Sequence, residues 1–148
     1  MIHTDLLKLK DGIREKAISA LTEMRSDSVL KDLGVDGIIV NETLRELPVQ
    51  MAYFSRSRMG IPEVQAMYKA AGLYAIGDAE ARRAATWTLS SKHLDGQAID
   101  LVPTREGKPW WGAPIEVWGR MGIIGKAHGL AWGGYWKNRD CPHFEATN

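Results

Sequence analysis

The side chains able to do chemistry fall into two short segments. The first is Ser90-Ser91-Lys92-His93-Leu94-Asp95-Gly96-Gln97-Ala98-Ile99-Asp100-Leu101-Val102, with an imidazole and a carboxylate seven positions apart. Asp95-Gly96 is a strong hairpin signal, because both central positions of a type I′ turn take positive φ. With the turn there, His93 pairs with Ala98, and His93 and Asp100 become diagonal cross-strand neighbours. Such pairs lie about 7–8 Å apart at the backbone and closer at the side-chain ends. An ion about 2 Å from each ligand atom fills that gap. Asp100 points the same way by itself: it interrupts an apolar run, and a buried carboxylate is costly unless paired or coordinating a metal. The bland reading is a solvated strand face.

The second segment is Asp140-Cys141-Pro142-His143-Phe144-Glu145. Pro142 disfavours helix at Cys141, so Asp140 and His143 are expected at a turn entering a short strand. A carboxylate three residues before a ligating imidazole can reach water at a metal without binding the metal, and can then move that water's proton. Alone, Asp140 reads equally as an Asx-turn residue, and His143 as a packed core histidine. Together the segments supply two imidazoles, one ligating carboxylate and one base, leaving the open position that a catalytic zinc site needs. His/Asp ligation also suits other divalent ions. Glu145 alternates with His143 and could orient a ligand or face water. Cys141 has no partners of a cysteine-nucleophile pattern, His128 reads as a helix C-terminal residue, and His3 has no partner nearby in sequence.

Several elements must position these residues. Ile13, Ala17, Ile18, Leu21 and Met24 recur at helical spacing, predicting an amphipathic helix over about residues 11–25. Residues 28–33 read as a short helix capped by Ser28 and stopped by Gly34. Residues 37–40 and 49–54 read as strands, the second reached through Glu46-Leu47-Pro48. Pro62 opens a helix through Val64, Met67, Tyr68 and Ala71, closed by Gly72. Residues 98–102 form a short strand, Pro114 opens a helix ending near Gly129, and the Gly/Trp-rich tail makes short strands and turns. This order favours an α+β domain.

Composition narrows the function classes. The 148 residues suit a single domain, 1–148, with a helical part over 1–50 packing on a catalytic core over 51–148. Nineteen basic against 18 acidic side chains give no electrostatic reason for nucleic-acid or membrane-surface binding. One cysteine excludes an internal disulfide and any multi-cysteine zinc knot. No apolar run approaches the roughly 20 residues of a membrane span. Lys8, Lys10, Asp11 and Arg14 interrupt any signal-peptide core, so a cytoplasmic product is expected. Five of six tryptophans lie between Trp110 and Trp136. Trp132, Tyr135 and Trp136 could line a peptide or glycan groove, although core is the commoner fate of such residues.

Ser91-x-His93-x-x-Gly96-x-Ala98-x-Asp100, Gly129-Leu130-x-Trp132-Gly133-Gly134-x-Trp136 and Asp140-x-x-His143-Phe144-Glu145 resemble the VanY-type zinc peptidases. The nearest branch is that of the bacteriophage L-alanyl-D-glutamate endopeptidases, which serve as endolysins. The resemblance covers roughly residues 56–145. It implies a hedgehog/DD-peptidase-like fold, a small antiparallel sheet with flanking helices. It also implies one Zn2+ held by His93, Asp100 and His143, with Asp140 as general base. The family arginine stands in a Ser/Tyr-Arg-x-x-x-x-Gln context and contacts substrate or the oxyanion. Arg56 is assigned that role over Arg58, although the gap to Gln65 is longer than usual. Ser91 and Trp136 are assigned to substrate binding.

The implied activity is hydrolysis of the L-Ala–D-Glu bond of the peptidoglycan stem peptide by a monomeric lysin. That enzyme waits in the host cytoplasm until a separate holin-type protein gives it access to the wall. The alternatives are a D,D-carboxypeptidase acting on D-Ala termini and a non-catalytic, zinc-stabilised wall-binding domain.

Overall fold

The computed structural model describes residues 2–147; Met1 and Asn148 lie outside them. The β-branched run becomes β1 (Gly37–Glu42), which pairs antiparallel with β2 (Ala98–Arg105). The other side of β2 carries β5 (His143–Ala146), which in turn pairs with β4 (Leu130–Trp132), and the two-residue β3 (Lys108–Pro109) folds back on β2. The sheet order is β1-β2-β5-β4. Central β2 is covered on both faces, so Ala98, Ile99, Leu101 and Val102 are all buried and its sequence shows no apolar/polar alternation. Asp100 alone breaks that run.

Two long helices cover one face. Ile13, Ala17, Leu21 and Met24 of α1 (Asp11–Ser26) and Val117, Met121 and Ile124 of α6 (Ile115–Ala127) share a core with Ile99, Leu101, Trp132 and Phe144. A Cβ at Gly122 would lie 2.4 Å from Trp132, and one at Gly125 2.4 Å from Phe144, so both glycines let α6 lie directly on β4 and β5.

The short α2 (Ser28–Asp32) is capped by Asp27, not Ser28: the Asp27 carboxylate accepts from Leu30 N–H and pairs with Arg120 of α6 at 2.8 Å. The Arg120 hydrogen bond holds this carboxyl below its ordinary range, with the Leu30 N–H adding to it. Asp27→Ala is expected to cost about 1–2 kcal/mol near neutral pH. Because the folded pKa is depressed, that contribution is present above the ordinary carboxylate pKa. It disappears as pH falls through the lowered value. Urea unfolding of both proteins at pH 7 and in acid checks this; an equal difference at both pH values would refute it.

Residues 49–54 are helical, contrary to the expected strand. They lie in α3 (Leu47–Ser55), where Pro48 occupies the first turn and needs no N–H partner. Leu47 and Met51 face out while Val49 and Ala52 are buried, a helical pattern, against Val64 and Tyr68 of α4 (Ile61–Ala70). With Ala81 of α5 (Asp78–Ala81) these make a second, smaller core. The expected division at residue 50 therefore falls inside a helix, and β1, assigned to the helical part, belongs to the sheet. Among the described residues no helix is long and apolar enough to cross a membrane.

Candidate metal centre

The site forms on one row across the sheet. Asp100 of β2 is the direct partner of His143 on β5 and of Glu42 on β1. The hairpin expected at Asp95-Gly96 does not form. Residues Lys92–Asp95 make one turn of 3-10 helix, capped by the Ser91 side chain on His93 N–H at 3.2 Å and closed by Gly96 at φ 67°. The turn packs against the N-terminal segment through Gly96, where a Cβ would meet Lys8 O at 2.8 Å, so a compact turn replaces two free strands. His93 still reaches Asp100, from the turn preceding β2 and not from across a hairpin.

The geometry is that of a ligand set. His93 Nε2 lies 3.0 Å and His143 Nδ1 3.4 Å from Asp100 Oδ1. All three ligand atoms fall within 4.8 Å of one another. Tetrahedral coordination with bonds of about 2.0–2.1 Å separates ligand atoms by about 3.3 Å. The ring tautomers agree. His93 Nδ1 donates to Thr43 O at 2.7 Å and His143 Nε2 to Glu145 Oε1 at 3.0 Å. Both inward nitrogens therefore present lone pairs, and the residues fit a divalent cation. A cation bound there takes the place of a proton on His143: burial lowers the His143 pKa, but the hydrogen bonds that Asp100 and Glu145 accept from it outweigh this and raise it to about 9. Burial would raise Asp100, yet the His93 and His143 charges hold it far below the usual carboxylate range.

Glu145 is itself fixed by Lys92 at 3.0 Å. Glu145→Ala is expected to weaken metal binding about 10–100-fold. Competition with a chromophoric chelator reads this directly, and an unchanged affinity would remove Glu145 from the orienting role.

Asp140 stands beside the triad without joining it. Its Oδ2 is 3.8 Å from His143 Nδ1 and its side chain is 47% exposed into the cavity. Burial against the cavity wall, then the neighbouring Asp100 charge, raises its pKa. Its turn is shaped by Gly133, whose carbonyl accepts from Asp140 N–H at 3.0 Å and where a Cβ would lie 2.5 Å from Asp140 O.

A cavity of about 770 Å³ opens over these residues, and Ser91, Arg56 and Trp136 all line it. Of the aromatic residues weighed between core and groove, Trp132 is buried, whereas Tyr135 and Trp136 are exposed; the Trp136 ring lies 4.8 Å from that of His143. Arg56 is the C-cap of α3, and its Nε donates to the carbonyls of Glu80 and Arg83 at 3.1 and 3.0 Å. Its charge acts on Tyr68 and Tyr74.

Arg45 escaped the sequence reading. Its charge reaches both Asp100 and Asp140, and it lines the same cavity. Glu42 holds its Nε and Nη2, Gln50 Oε1 accepts from Nη1 at 2.7 Å, and the guanidinium lies over the Tyr53 ring. The signal was present: Arg45-x-x-x-x-Gln50 has the arginine–glutamine spacing that Arg56 lacks, and the direct Arg45–Gln50 hydrogen bond is its physical reason.

Residues 84–146 match a family model described as D-alanyl-D-alanine carboxypeptidase, of the M15 peptidases. Two crystal structures share the fold. One is the L-Ala D-Glu endopeptidase ChiX of Serratia marcescens, with TM-score 0.57 and 21% identity over 96% of this chain and 83% of that one. The other is a mutant of the D,D-pentapeptidase VanY from a VanB-type vancomycin-resistance cassette, in complex with Zn(II). It has TM-score 0.57 and 20% identity over 95% of this chain and 73% of that one. The M15 pattern over residues 84–146, the shared fold and the His93–Asp100–His143 set make the chain similar to the VanY-type zinc peptidases.

Proposed function

We propose that this protein is a peptidoglycan peptidase that cuts the L-Ala–D-Glu bond of the stem peptide, with one zinc ion held by His93, Asp100 and His143. The observation that carries the reading is Asp140, a carboxylate 3.8 Å from a ligating nitrogen yet outside the ligand set. Zinc bound there supplies Lewis acidity, polarising the scissile carbonyl and easing deprotonation of water. Asp140 takes the proton as the water oxygen bonds to the carbonyl carbon. Arg45, pre-oriented by Glu42 and Gln50, donates to the oxygen on which negative charge develops. The C–N bond then breaks, and Asp140 returns the proton to the departing amine. Thr43 O and Glu145 keep the two imidazoles in register throughout.

The likeness to an L-Ala D-Glu endopeptidase supports this bond. So does the continuation of the cavity past Asp140, which leaves room for chain beyond a terminal residue. The biological role proposed is that of a monomeric phage endolysin, held in the host cytoplasm until a holin-type protein opens the membrane. It is supported by the resemblance of the metal motifs to that branch.

A D,D-carboxypeptidase is the second reading, favoured by the description of the matching family and by VanY. Mass analysis of digested peptidoglycan separates the two. New D-Glu amino termini are expected; loss of terminal D-Ala alone would overturn the endopeptidase assignment.

A further inference from the structure

A second cavity, of about 420 Å³, adjoins the first and shares Trp136 and Asp140 with it. Its outer wall is the irregular segment 84–90, and the backbone there is held, not loose. Gln50 Nε2 donates to Thr88 O at 2.6 Å and Arg58 Nη1 to Thr86 O at 3.2 Å, so the carbonyls on both sides of Trp87 are tied to the α3 region. The Arg58 guanidinium lies 3.9 Å from the Phe54 ring centre and 5.7 Å from that of Trp87, propping the indole. Trp87 itself is 65% exposed and Trp136 is 42% exposed. A restrained backbone that presents one indole to solvent, beside a second indole packed on a metal ligand, is built to hold something flat. Thr86, Thr88, Asn138 and Arg139 supply hydrogen-bonding groups in the same groove.

We infer that the Trp87–Trp136 groove binds a sugar ring of the glycan strand that carries the stem peptide. A pyranose offers an apolar C–H face to an indole and hydroxyl and acetamido groups to neighbouring polar side chains, the mixture this groove presents. The inference rests on the proposed L-Ala–D-Glu cleavage. In that substrate the residue on the carbonyl side of the cut is joined directly to muramic acid, so the sugar must lie next to Asp140. The adjoining groove satisfies that requirement. The preferred substrate is therefore glycan-bearing stem peptide, with free peptide a poor one.

The probe is peptide-free N-acetylglucosaminyl-N-acetylmuramic acid, titrated by tryptophan fluorescence and calorimetry into the zinc-loaded protein and its Trp87→Ala variant. The wild type is expected to bind it, and the variant to bind about tenfold or more weakly. In parallel, kcat/KM of the variant is expected to fall by a similar factor on disaccharide-peptide and to hold on free stem peptide, with Trp87→Phe recovering part of the loss. No binding of the disaccharide by the wild type, unchanged binding in Trp87→Ala, or an equal fall on both substrates overturns the inference. Sugar binding together with cleavage at D-Ala instead overturns the bond assignment and leaves the groove standing.

Discussion

Asp140→Ala is expected to keep its metal and to lose peptidoglycan hydrolysis by about 10²–10⁴-fold, the usual worth of a positioned acid–base group. The two halves of that result have separate structural causes. Metal retention follows because His93, Asp100 and His143 are held by Thr43, the β2–β5 register and Glu145, none of which involves the Asp140 side chain. Loss of activity follows because, among the described residues, no other carboxylate beside the triad is left for proton transfer. Glu145 and Asp100 are engaged with the imidazoles, and Glu42 with Arg45. Metal quantification beside a turbidity or dye-release assay checks both halves. Unchanged hydrolysis with metal bound would end the catalytic assignment and leave a zinc-stabilised wall-binding domain as the reading.

Arg45→Lys is expected to reduce kcat about 10²-fold, the scale of losing one preorganised oxyanion donor. Lysine keeps the charge beside Glu42 but cannot make the forked contact to Glu42 while also reaching Gln50, so its ammonium is not aimed as the guanidinium is. Keeping the charge matters for the test. Glu42 is 3% exposed and its Oε2 has no hydrogen-bond partner, so truncation to alanine would leave a buried carboxylate uncompensated and confound activity with stability. Arg56→Lys is the matched comparison. Arg56 fastens the carbonyls of Glu80 and Arg83 to the end of α3, and its replacement should lower the melting temperature while kcat falls less than in Arg45→Lys. The reverse ranking of kcat would restore Arg56 as the arginine that meets substrate.

The ligand residues were legible because their chemistry is expensive to hide. An aspartate inside the Ile99–Leu101 run and a histidine next to a Pro-bearing turn each have an ordinary reading alone, and it is the two segments together that point to a cation. The route by which they meet was not legible. A hairpin at Asp95-Gly96 is a sound local expectation, but local signals lose to the packing of Gly96 against the N-terminal segment and to the pairing of β2 with a strand some forty residues on. The helix over Leu47–Ser55 shows the same limit. A short apolar run bounded by a proline reads as strand or helix, and only the surface it packs against, here α4, selects between them.

What the chain by itself determined is the chemical inventory: two imidazoles and two carboxylates able to hold a cation or move a proton, in an α+β domain, each marked by residue type and short-range spacing. Tertiary structure decided which arginine is tied to Glu42 beside Asp100, which tryptophans are core and which are walls, and that Glu42, Asp100 and His143 form one row across β1, β2 and β5. The reason is range. Ligand identity and turn chemistry are encoded within a few residues, whereas convergence on one point depends on sheet register and helix packing, set by contacts between segments far apart in the chain.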